Sequence, residues 1–413
     1  MCAWPGLVES NWKNTSYSVY KKGSATLVSV LRLAAMKKLR STTNSSSDVP
    51  FSAEQIHAFR LRRHHLLDQS GKDLVTICRD VCGVQAQIMS AAQLQLWARN
   101  HAITPAIVND ALLISRTLVK TSLMRQTLHL VPADEFPLYI AAQKKRRVGT
   151  VLTRMAKFKI TREEAEEMSG LILDFLKAGP APRVAIAAAV RPKVSKRIHK
   201  WMEESWSMVR LPIAEGQICY GPGEGNQAMF IRTDQWLPPM RPVDEETAQK
   251  ELFRKYLRAY GPATLNDFSH WCGISMPAVK ALRLLLDSEI AEYNGLLLLR
   301  EDIKALQADA AGLNSVHLLP YFDVYLLAHR LKEHFLNAKF YKRVYRDQGW
   351  ISPVVLINGE IAGVWSHKLS RKAVEIEIEL FARVGPRTRK QIKGRARQLA
   401  DLFQCPLLFS FKN

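Results

Sequence analysis

The most restrictive feature of the chain is a run of three helical stretches that ends in a β-hairpin, in residues 244–312. The helices are separated by turn-forming residues and begin at residues that cap helices well. Two apolar strands, at 289–293 and 296–300, flank Asn294 and Gly295, a dipeptide that strongly favours a two-residue hairpin. Helices that lead into a hairpin are typical of a winged helix, a variant of the helix-turn-helix fold, and we predict one here.

The third helix of this unit is predicted to be the recognition helix, because such a helix enters the DNA major groove in related folds. Lys280 and Arg283 lie three residues apart on it and are predicted to contact DNA. Val279, Leu282 and Leu286 point to the other side and are expected to hold the helix in the core. The alternative is a unit that binds another protein, since winged helices also serve as protein-interaction modules.

Two preceding segments repeat this order of helices followed by strands. Four helices and a strand at 125–131 are predicted in the first segment, and a helix at 160–178 with strands at 208–213 and 217–220 in the second. We therefore predict an α+β fold of tandem winged-helix units followed by a small mixed β domain. The expected domains are 51–150, 151–243, 244–312 and 313–413.

A helix predicted from residue 193 onward separates charged from apolar side chains. Val194, Ile198 and Trp201 lie on one face. The basic face carries four cations at helical spacing and no acid: Lys193, Lys196, Arg197 and Lys200. This face is either an ordinary solvated surface or, as we expect, one that lies against DNA phosphates.

The segment 313–413 is predicted to form strands around a hairpin turn at Asn358 and Gly359, with a basic helix and a final strand after them. Residues 339–346 interleave cations with aromatic rings, and residues 383–397 hold seven cations and no acid. The rings either stack on exposed bases or, as we favour, belong to the core of the sheet.

The charge of the chain indicates a polyanionic partner. Lysine and arginine number 59 against 38 aspartates and glutamates, a formal net charge of +21, and they cluster in several successive segments. We therefore expect the protein to bind double-stranded DNA. Residues 1–50 are a basic, Ser/Thr-rich extension expected to be disordered, and they are either an organellar targeting segment or an over-extended start with Met36 as the initiator.

Other familiar chemistries are not indicated. No apolar run is long enough to cross a membrane, and we expect a cytoplasmic, nucleoid-associated monomer. Cys78 and Cys82 are predicted to be buried thiols rather than zinc ligands, because no second ligand pair accompanies them. The motifs of P-loop enzymes, zinc proteases, serine hydrolases and zinc deaminases are missing, so we expect neither metal nor cofactor.

Four strings resemble one family when they are taken in order along the chain: GVQAQ at 83–87, LMRQTLHLVP at 123–132, GPATLNDF at 261–268 and LLPYFD at 318–323. The chain resembles the winged-helix DNA glycosylases of the AlkZ and YcaQ type, which excise alkylated purines and unhook interstrand crosslinks. The resemblance implies three tandem winged helices and a β-barrel-like element, arranged as a C-shaped basic channel around duplex DNA. The hairpin tip at 357–360 is a candidate for insertion into that DNA.

The family's catalytic motif is a glutamine, an apolar residue, and then glutamine or aspartate. It falls on Gln85, Ala86 and Gln87, so the resemblance implies that Gln85 and Gln87 are catalytic. Arg125 and His129 lie in the second string, on one face of the predicted strand, and are expected to approach the DNA backbone or the lesion. The more ordinary fate of such a histidine is burial with a hydrogen bond.

Amide side chains suit the hydrolysis of such a base. The reaction passes through an oxocarbenium-like sugar, which needs negative potential near C1′ and a positioned water. A purine alkylated at N7 or N3 is already cationic and leaves without protonation, so two amide carbonyls can orient water and stabilise the developing charge. The bland alternative is that Gln85 and Gln87 cap the flanking helices. Asp323 either supports a neighbouring functional group or caps a helix.

The resemblance therefore implies a monofunctional DNA glycosylase that acts on alkylated purines and crosslinks in DNA repair. A second hypothesis is a non-catalytic DNA-binding protein, such as a regulator or a damage sensor. A third is a winged-helix scaffold that binds proteins. Both DNA-binding hypotheses predict strong salt dependence, with log affinity falling by roughly 0.9 per neutralised phosphate, so only base release separates them.

Overall fold

The computed structural model describes residues 51–67, 71–203, 207–223, 227–308, 312–370 and 372–412. The basic extension predicted at residues 1–50 lies outside the described residues. The described chain combines helices with three sheets, which agrees with the predicted α+β class. Among the described residues, no helix is long and apolar enough to cross a membrane, and no group of three or more His, Cys, Asp or Glu side chains is placed to hold a metal ion.

The first segment contains five helices and three strands in the described residues. They are α1 (Ala53–Arg63), α2 (Leu74–Asp80), β1 (Val84–Gln85), α3 (Met89–Arg99), α4 (Pro105–Leu113), β2 (Leu118–Ser122), β3 (Leu128–Pro132) and α5 (Phe136–Ala156). Local sequence explains the helix starts, because Ser52 forms a capping box with Gln55 and Asp73 accepts two backbone N–H bonds at the start of α2. The predicted helices are confirmed here.

The strand predicted at 125–131 begins three residues later than expected. Arg125 has φ 55 and Gln126 has φ 60, so both adopt the left-handed conformation inside a tight turn. The expectation that Arg125 shares a strand face with His129 is therefore wrong. Alternation along a strand cannot apply to a residue that lies in a turn.

The second segment contains α6 (Arg162–Phe175), β4 (Ala181–Pro182), α7 (Arg183–Val190), α8 (Lys196–Glu203), α9 (Arg210–Ala214), β5 (Ile218–Tyr220), β6 (Met229–Arg232) and α10 (Thr233–Trp236). The strand predicted at 208–213 is wrong, because α9 occupies that stretch. Four of the five residues of α9 are buried, and an apolar run that is buried all round has no period from which strand and helix can be told apart.

The basic helix is also shorter than predicted. A short 3-10 turn, Arg191–Lys193, precedes it, and Val194 has extended backbone angles (φ −124, ψ 162). Lys193 therefore does not continue the face of α8, on which Lys196, Arg197 and Lys200 lie.

One sheet joins the first two segments. Its strand order is β1-β3-β2-β5-β6-β4, and β2 pairs with β5 through Lys120 and Tyr220. Helix α5 also runs across the expected division at residue 150. The strand that leads to Gln85 is thus the edge of a sheet that continues into the second segment.

The third segment contains every element predicted for it: α11 (Glu245–Tyr260), α12 (Leu265–Cys272), α13 (Met276–Leu285), β7 (Ile290–Tyr293) and β8 (Leu296–Leu299), followed by α14 (Ile303–Ala308). Gly273 ends α12 in the left-handed conformation at φ 80. Asn294 and Gly295 have φ 51 and φ 78, as a two-residue primed turn requires.

The last segment is an open five-stranded sheet, so the barrel-like element that the resemblance implied is not present among the described residues. The strands are β9 (Val316–Leu319), β10 (Val354–Ile357), β11 (Glu360–Leu369), β12 (Val374–Leu380) and β13 (Leu407–Lys412), in the order β13-β12-β11-β10-β9. Two further helices belong to it, α15 (Tyr341–Val344) and α16 (Pro386–Leu402). The pair β12 and β13 is parallel and is connected through α16, whose apolar side chains pack in the core of the sheet.

The aromatic residues near α15 belong mainly to this core, as favoured from the sequence. Phe340 stacks on Phe381 with ring centroids 4.2 Å apart, and the Tyr345 hydroxyl donates to the Leu326 carbonyl at 2.7 Å. At the candidate inserting tip, Gly359 is buried, whereas Asn358 and Glu360 are exposed. A Cβ atom on Gly359 would lie 2.6 Å from the His57 Cβ, so α1 packs against this one side of the turn.

Candidate active site

The loop that carries the two glutamines leaves α2 through a turn that only glycine fits. Gly83 has φ 87, and a Cβ atom there would lie 2.7 Å from the Val131 side chain and 3.1 Å from the Leu130 carbonyl oxygen. This close approach brings β1 beside β3, where Val84 is paired with Leu130 and Gln85 with His129. The backbone of the loop is therefore held by a strand pair.

Gln85, Ala86 and Gln87 differ in their exposure to solvent. Ala86 is fully buried in the core beneath the loop. Gln85 is buried beside β3, and Gln87 is exposed. Neither glutamine caps a helix: the N-cap of α3 is Ile88, which makes no side-chain cap bond. The capping alternative is therefore wrong for the start of α3, and the two amides are available for another role.

The Gln85 side chain is oriented by Arg125. The guanidinium Nη2 of Arg125 donates to the Gln85 Oε1 at 3.2 Å, and its Nη1 donates to the Trp271 carbonyl at 3.4 Å. A guanidinium can only donate, so the Gln85 carbonyl faces Arg125 and the NH₂ group points away. Burial lowers the pKa of Arg125 to about 10, which leaves it charged at neutral pH. The contact also connects the glutamine loop to α12.

His129 is the buried, hydrogen-bonded histidine that was the ordinary expectation. Its Nδ1 lies 2.9 Å from the Thr127 carbonyl oxygen, which accepts the proton that Nδ1 carries. Burial, and then the nearby Arg125 charge, lower the pKa of His129 to about 3. The imidazole is therefore neutral at physiological pH, and it faces the same side of the sheet as Gln85 because the two residues are directly opposed.

A buried polar network lies behind Gln85. The Gln95 Nε2 donates to the backbone carbonyl of Gln85 at 3.0 Å, and both nitrogens of the Arg99 fork donate to Asp323, at 2.9 and 2.8 Å. Asp323 also accepts from the backbone N–H of Tyr325 at 3.0 Å. Both roles considered for Asp323 are thus present: it caps a 3-10 turn and supports a residue next to the site.

Three comparisons bear on the chain's family. A family model described as DNA glycosylase AlkZ-like matches residues 78–402. The chain belongs to this family. It is therefore a DNA repair glycosylase, a hydrolase of N-glycosyl bonds whose substrate is DNA, and the resemblance noted in the sequence is confirmed.

One curated relative of this AlkZ-like chain is an interstrand DNA cross-link repair glycosylase of Streptomyces sahachiroi, 27% identical over 368 residues, which cover 83% of this chain and 99% of the relative. The solved structure of a Streptomyces sahachiroi DNA glycosylase AlkZ superposes with a TM-score of 0.75 at 26% identity. The match covers 87% of this chain and 99% of that chain.

The lysines and arginines predicted to contact DNA, other than Arg125, lie away from the glutamine loop of this AlkZ-like glycosylase, on or just before α8 and on α13. Lys193, Lys196, Lys200 and Lys280 are exposed. Arg197 is tied to Glu164 on α6 at 2.7 Å, so an acid does accompany the basic face of α8. Arg283 is tied to Asp287 at 2.7 Å and lies 3.7 Å from Glu292. The exposed lysines are therefore better placed to meet phosphates than the two arginines.

Gln95 and Arg99 were missed by sequence reasoning in this AlkZ-like chain. Helix α3 is buried along most of its length, and polar residues on a buried helix need hydrogen-bond partners. That rule could have marked both residues as hydrogen-bonded. The identity of their partners depends on residues 323 and 324, more than 200 positions away, which no local pattern reveals.

Proposed function

We propose that this AlkZ-like glycosylase is monofunctional and hydrolyses the N-glycosidic bond of alkylated purines, including purines joined in an interstrand crosslink. The arrangement of Gln85 and Gln87 carries the proposal: one amide is buried and fixed, and the other is exposed two residues further along the same loop. The name of the Streptomyces sahachiroi relative, an interstrand DNA cross-link repair glycosylase, supports the crosslink as a substrate class.

In this mechanism the C1′–N9 bond breaks and the base leaves with the bonding electrons, which neutralise its positive charge. Water then adds to C1′ and releases a proton to solvent, so neither a metal nor a strong acid is needed for an N7-alkylated base. The Gln87 carbonyl, together with the lone pair of the Gln85 Oε1 that Arg125 does not occupy, supplies negative potential near the oxocarbenium-like sugar and holds the water. Fixed positioning substitutes for the proton transfer that an amide cannot perform.

The two glutamines have different parts. Gln87, exposed two residues beyond the end of β1, is the amide that holds the attacking water. Gln85, with its side-chain carbonyl turned to Arg125, lines the sugar from the sheet side. Two N–H groups of Arg125 already donate to partners inside the protein. Its positive charge would also destabilise positive charge on the sugar, so Arg125 does not act on the sugar directly. We therefore assign Arg125 to orienting Gln85. His129, neutral at physiological pH, contributes a hydrogen-bond acceptor rather than a phosphate-binding charge.

The remaining features of the proposal concern how DNA is held. The three helical segments serve as winged-helix units around a C-shaped channel, with Lys193, Lys196, Lys200 and Lys280 on phosphates. Arg197 and Arg283 contribute less, because acids accompany them. The protein works as a monomer on the nucleoid. Among the described residues, the groups bonded to or paired with Gln85 are amide, guanidinium and imidazole groups rather than a primary amine, which supports a monofunctional enzyme that leaves an abasic site.

Base release from a duplex that contains N7-methylguanine tests the catalytic assignment. Wild type is expected to release the base under single-turnover conditions. Gln85→Ala and Gln87→Ala are expected to lower the rate by about 10²–10³-fold, comparable to the loss of one electrostatic donor in other active sites. The duplex Kd should stay within about threefold, because neither amide neutralises a phosphate.

Gln391→Ala serves as the control, since Gln391 lies on α16 and bonds to Asn314 rather than to the loop. Borohydride trapping reports a covalent imine, which a monofunctional enzyme does not form. Failure of the wild type to release any alkylated purine, crosslinked purines included, would refute the substrate class. A trapped imine would refute the monofunctional assignment.

A further inference from the structure

The string LLPYFD, at residues 318–323, has no part in the mechanism above, yet the fold brings it directly behind the glutamine loop. Asp323 is fully buried and forms a two-bond fork with Arg99, whose side chain is also fully buried. Gln95, one helical turn before Arg99 on α3, is buried to the same extent. We call Gln95, Arg99 and Asp323 the support network.

Gln95 connects the glutamine loop to the segment that follows LLPYFD, because both polar atoms of its side-chain amide form hydrogen bonds. Its Nε2 donates to the backbone carbonyl of Gln85 at 3.0 Å, and its Oε1 accepts from the Val324 backbone N–H at 3.3 Å. Because a carbonyl only accepts and an N–H only donates, this orientation of the amide is the one that satisfies both partners. The Gln85 backbone is therefore connected to the residue that follows Asp323.

Arg99 and Asp323 fix the two backbone segments that the Gln95 side chain connects. The Arg99 Nη1 donates to the Gln95 backbone carbonyl at 2.8 Å as well as to Asp323. Asp323 in turn accepts from the Tyr325 backbone N–H. The ion pair thus fixes both the helix turn that carries Gln95 and the backbone turn that carries the N–H bonded by Gln95.

Stability alone is a weak reason for this arrangement. A buried ion pair commonly contributes no more than an apolar replacement of the same volume, because removing two charges from water offsets most of their attraction. What such a pair does provide is a geometry with little freedom. Within the part of the chain that the structure describes, the support network reaches one backbone carbonyl in the loop, that of Gln85.

We propose that Gln95, Arg99 and Asp323 are positioning residues that hold the backbone carbonyl of Gln85. They thereby fix the direction in which the side-chain amides of Gln85 and Gln87 face the sugar. The inference rests on the proposed catalytic function of these two glutamines. The last segment of the chain thereby acts on the reaction without touching the substrate.

Gln95→Met tests the proposal, because it keeps the length of the side chain and removes the bond to Gln85. The single-turnover rate of base release is expected to fall about 10–100-fold, as misplaced catalytic groups cause, with the duplex Kd within about twofold. Gln93→Met is the matched control. Gln93 is a second buried glutamine on α3, but its amide reaches Asn109 at 3.4 Å and not the loop. The rate of base release by Gln93→Met should stay within about threefold of the wild-type rate.

Hydrogen exchange at the backbone amides of residues 84–87 gives a readout that needs no activity. Gln95→Met is expected to raise their exchange about tenfold, through loss of one hydrogen bond that restrains the strand pair, and Gln93→Met to leave it unchanged. Gln95→Asn, too short by one methylene, should act like Gln95→Met if the methionine variant folds poorly.

The outcomes separate the two proposals. A wild type that releases no alkylated base refutes the proposed function, and the positioning role falls with it even if the loop exchange responds. A wild type that is active, with a Gln95→Met rate or loop exchange equal to wild type, overturns the positioning role alone. A parallel loss in Gln93→Met would assign the effect to α3 as a whole and would also overturn it.

Discussion

At the scale of single residues, the candidate site is built from neutral groups and one permanently charged one. Gln85 and Gln87 do not titrate, the pKa of His129 lies near 3, and that of Arg125 lies near 10. Burial is the main cause of both shifts, and the Arg125 charge adds to the shift of His129. The groups in contact with Gln85 therefore keep one protonation state across the physiological range.

We accordingly predict a flat pH profile for excision of N7-methylguanine. Between pH 6 and 8 the single-turnover rate should change less than about threefold, because no group in contact with Gln85 gains or loses a proton there. Single-turnover rates at saturating enzyme measure it. A limb that approaches a tenfold change per pH unit in this range would contradict the assignment of catalysis to the two amides.

At the scale of elements, short-range signals predicted what short-range chemistry controls. The helix starts at Ser52, Asp244 and Thr264 have the capping bonds that their sequences predict, and the turn at Asn294 lies where expected. Residues 208–213 were wrongly predicted as a strand, because their burial on all sides removes the periodic signal. Lys193 was predicted to lie on helix α8, but it belongs to the 3-10 turn before it. Arg197 was predicted to have no acid near it, but it pairs with Glu164 of α6.

These contacts predict unequal roles for the cations of α8. Replacing Lys200 with alanine should lower the slope of log affinity against log salt by about 0.9, the value for one lost phosphate contact. Arg197→Ala is the matched control from the same helix, and its slope should change by less than half as much, because Glu164 already neutralises that charge. Duplex affinities measured across a salt series compare the two. Equal changes would contradict this account of the basic face.

At the scale of the whole molecule, several histidines are buried where protonation is unfavourable. Burial lowers the pKa of His129 and His317 to about 3, and it lowers the pKa of His64, His329 and His334 well below normal. The unfolded chain binds protons at these positions below about pH 6.5 while the folded chain does not. Their contribution to stability is therefore complete above pH 6.5 and is lost as the pH falls towards 3.

Thermal unfolding should show this loss. Each such histidine adds up to about 1.4 kcal/mol of destabilisation per pH unit below 6.5, so the Tm should fall steeply between pH 6.5 and 5. His317→Gln removes one of these groups. The variant is expected to start from a lower Tm at pH 7.5 but to lose less on acidification than wild type. An equal or greater loss would contradict proton linkage at this residue.

The sequence by itself determined most of the local elements, the basic character and, through four short strings, the family; it also predicts that the two glutamines are catalytic. Capping, turn formation and charge depend on neighbours within a few residues, so a linear pattern contains them. Only the tertiary structure decided that Arg125 turns the Gln85 carbonyl inward, that His129 is neutral, that one sheet joins two segments, and that the last sheet is open. It also brought Asp323 and Gln95 behind the loop. These features depend on burial and on contacts between residues up to 229 positions apart, and no pattern along the chain encodes which distant partner fills a buried hydrogen bond.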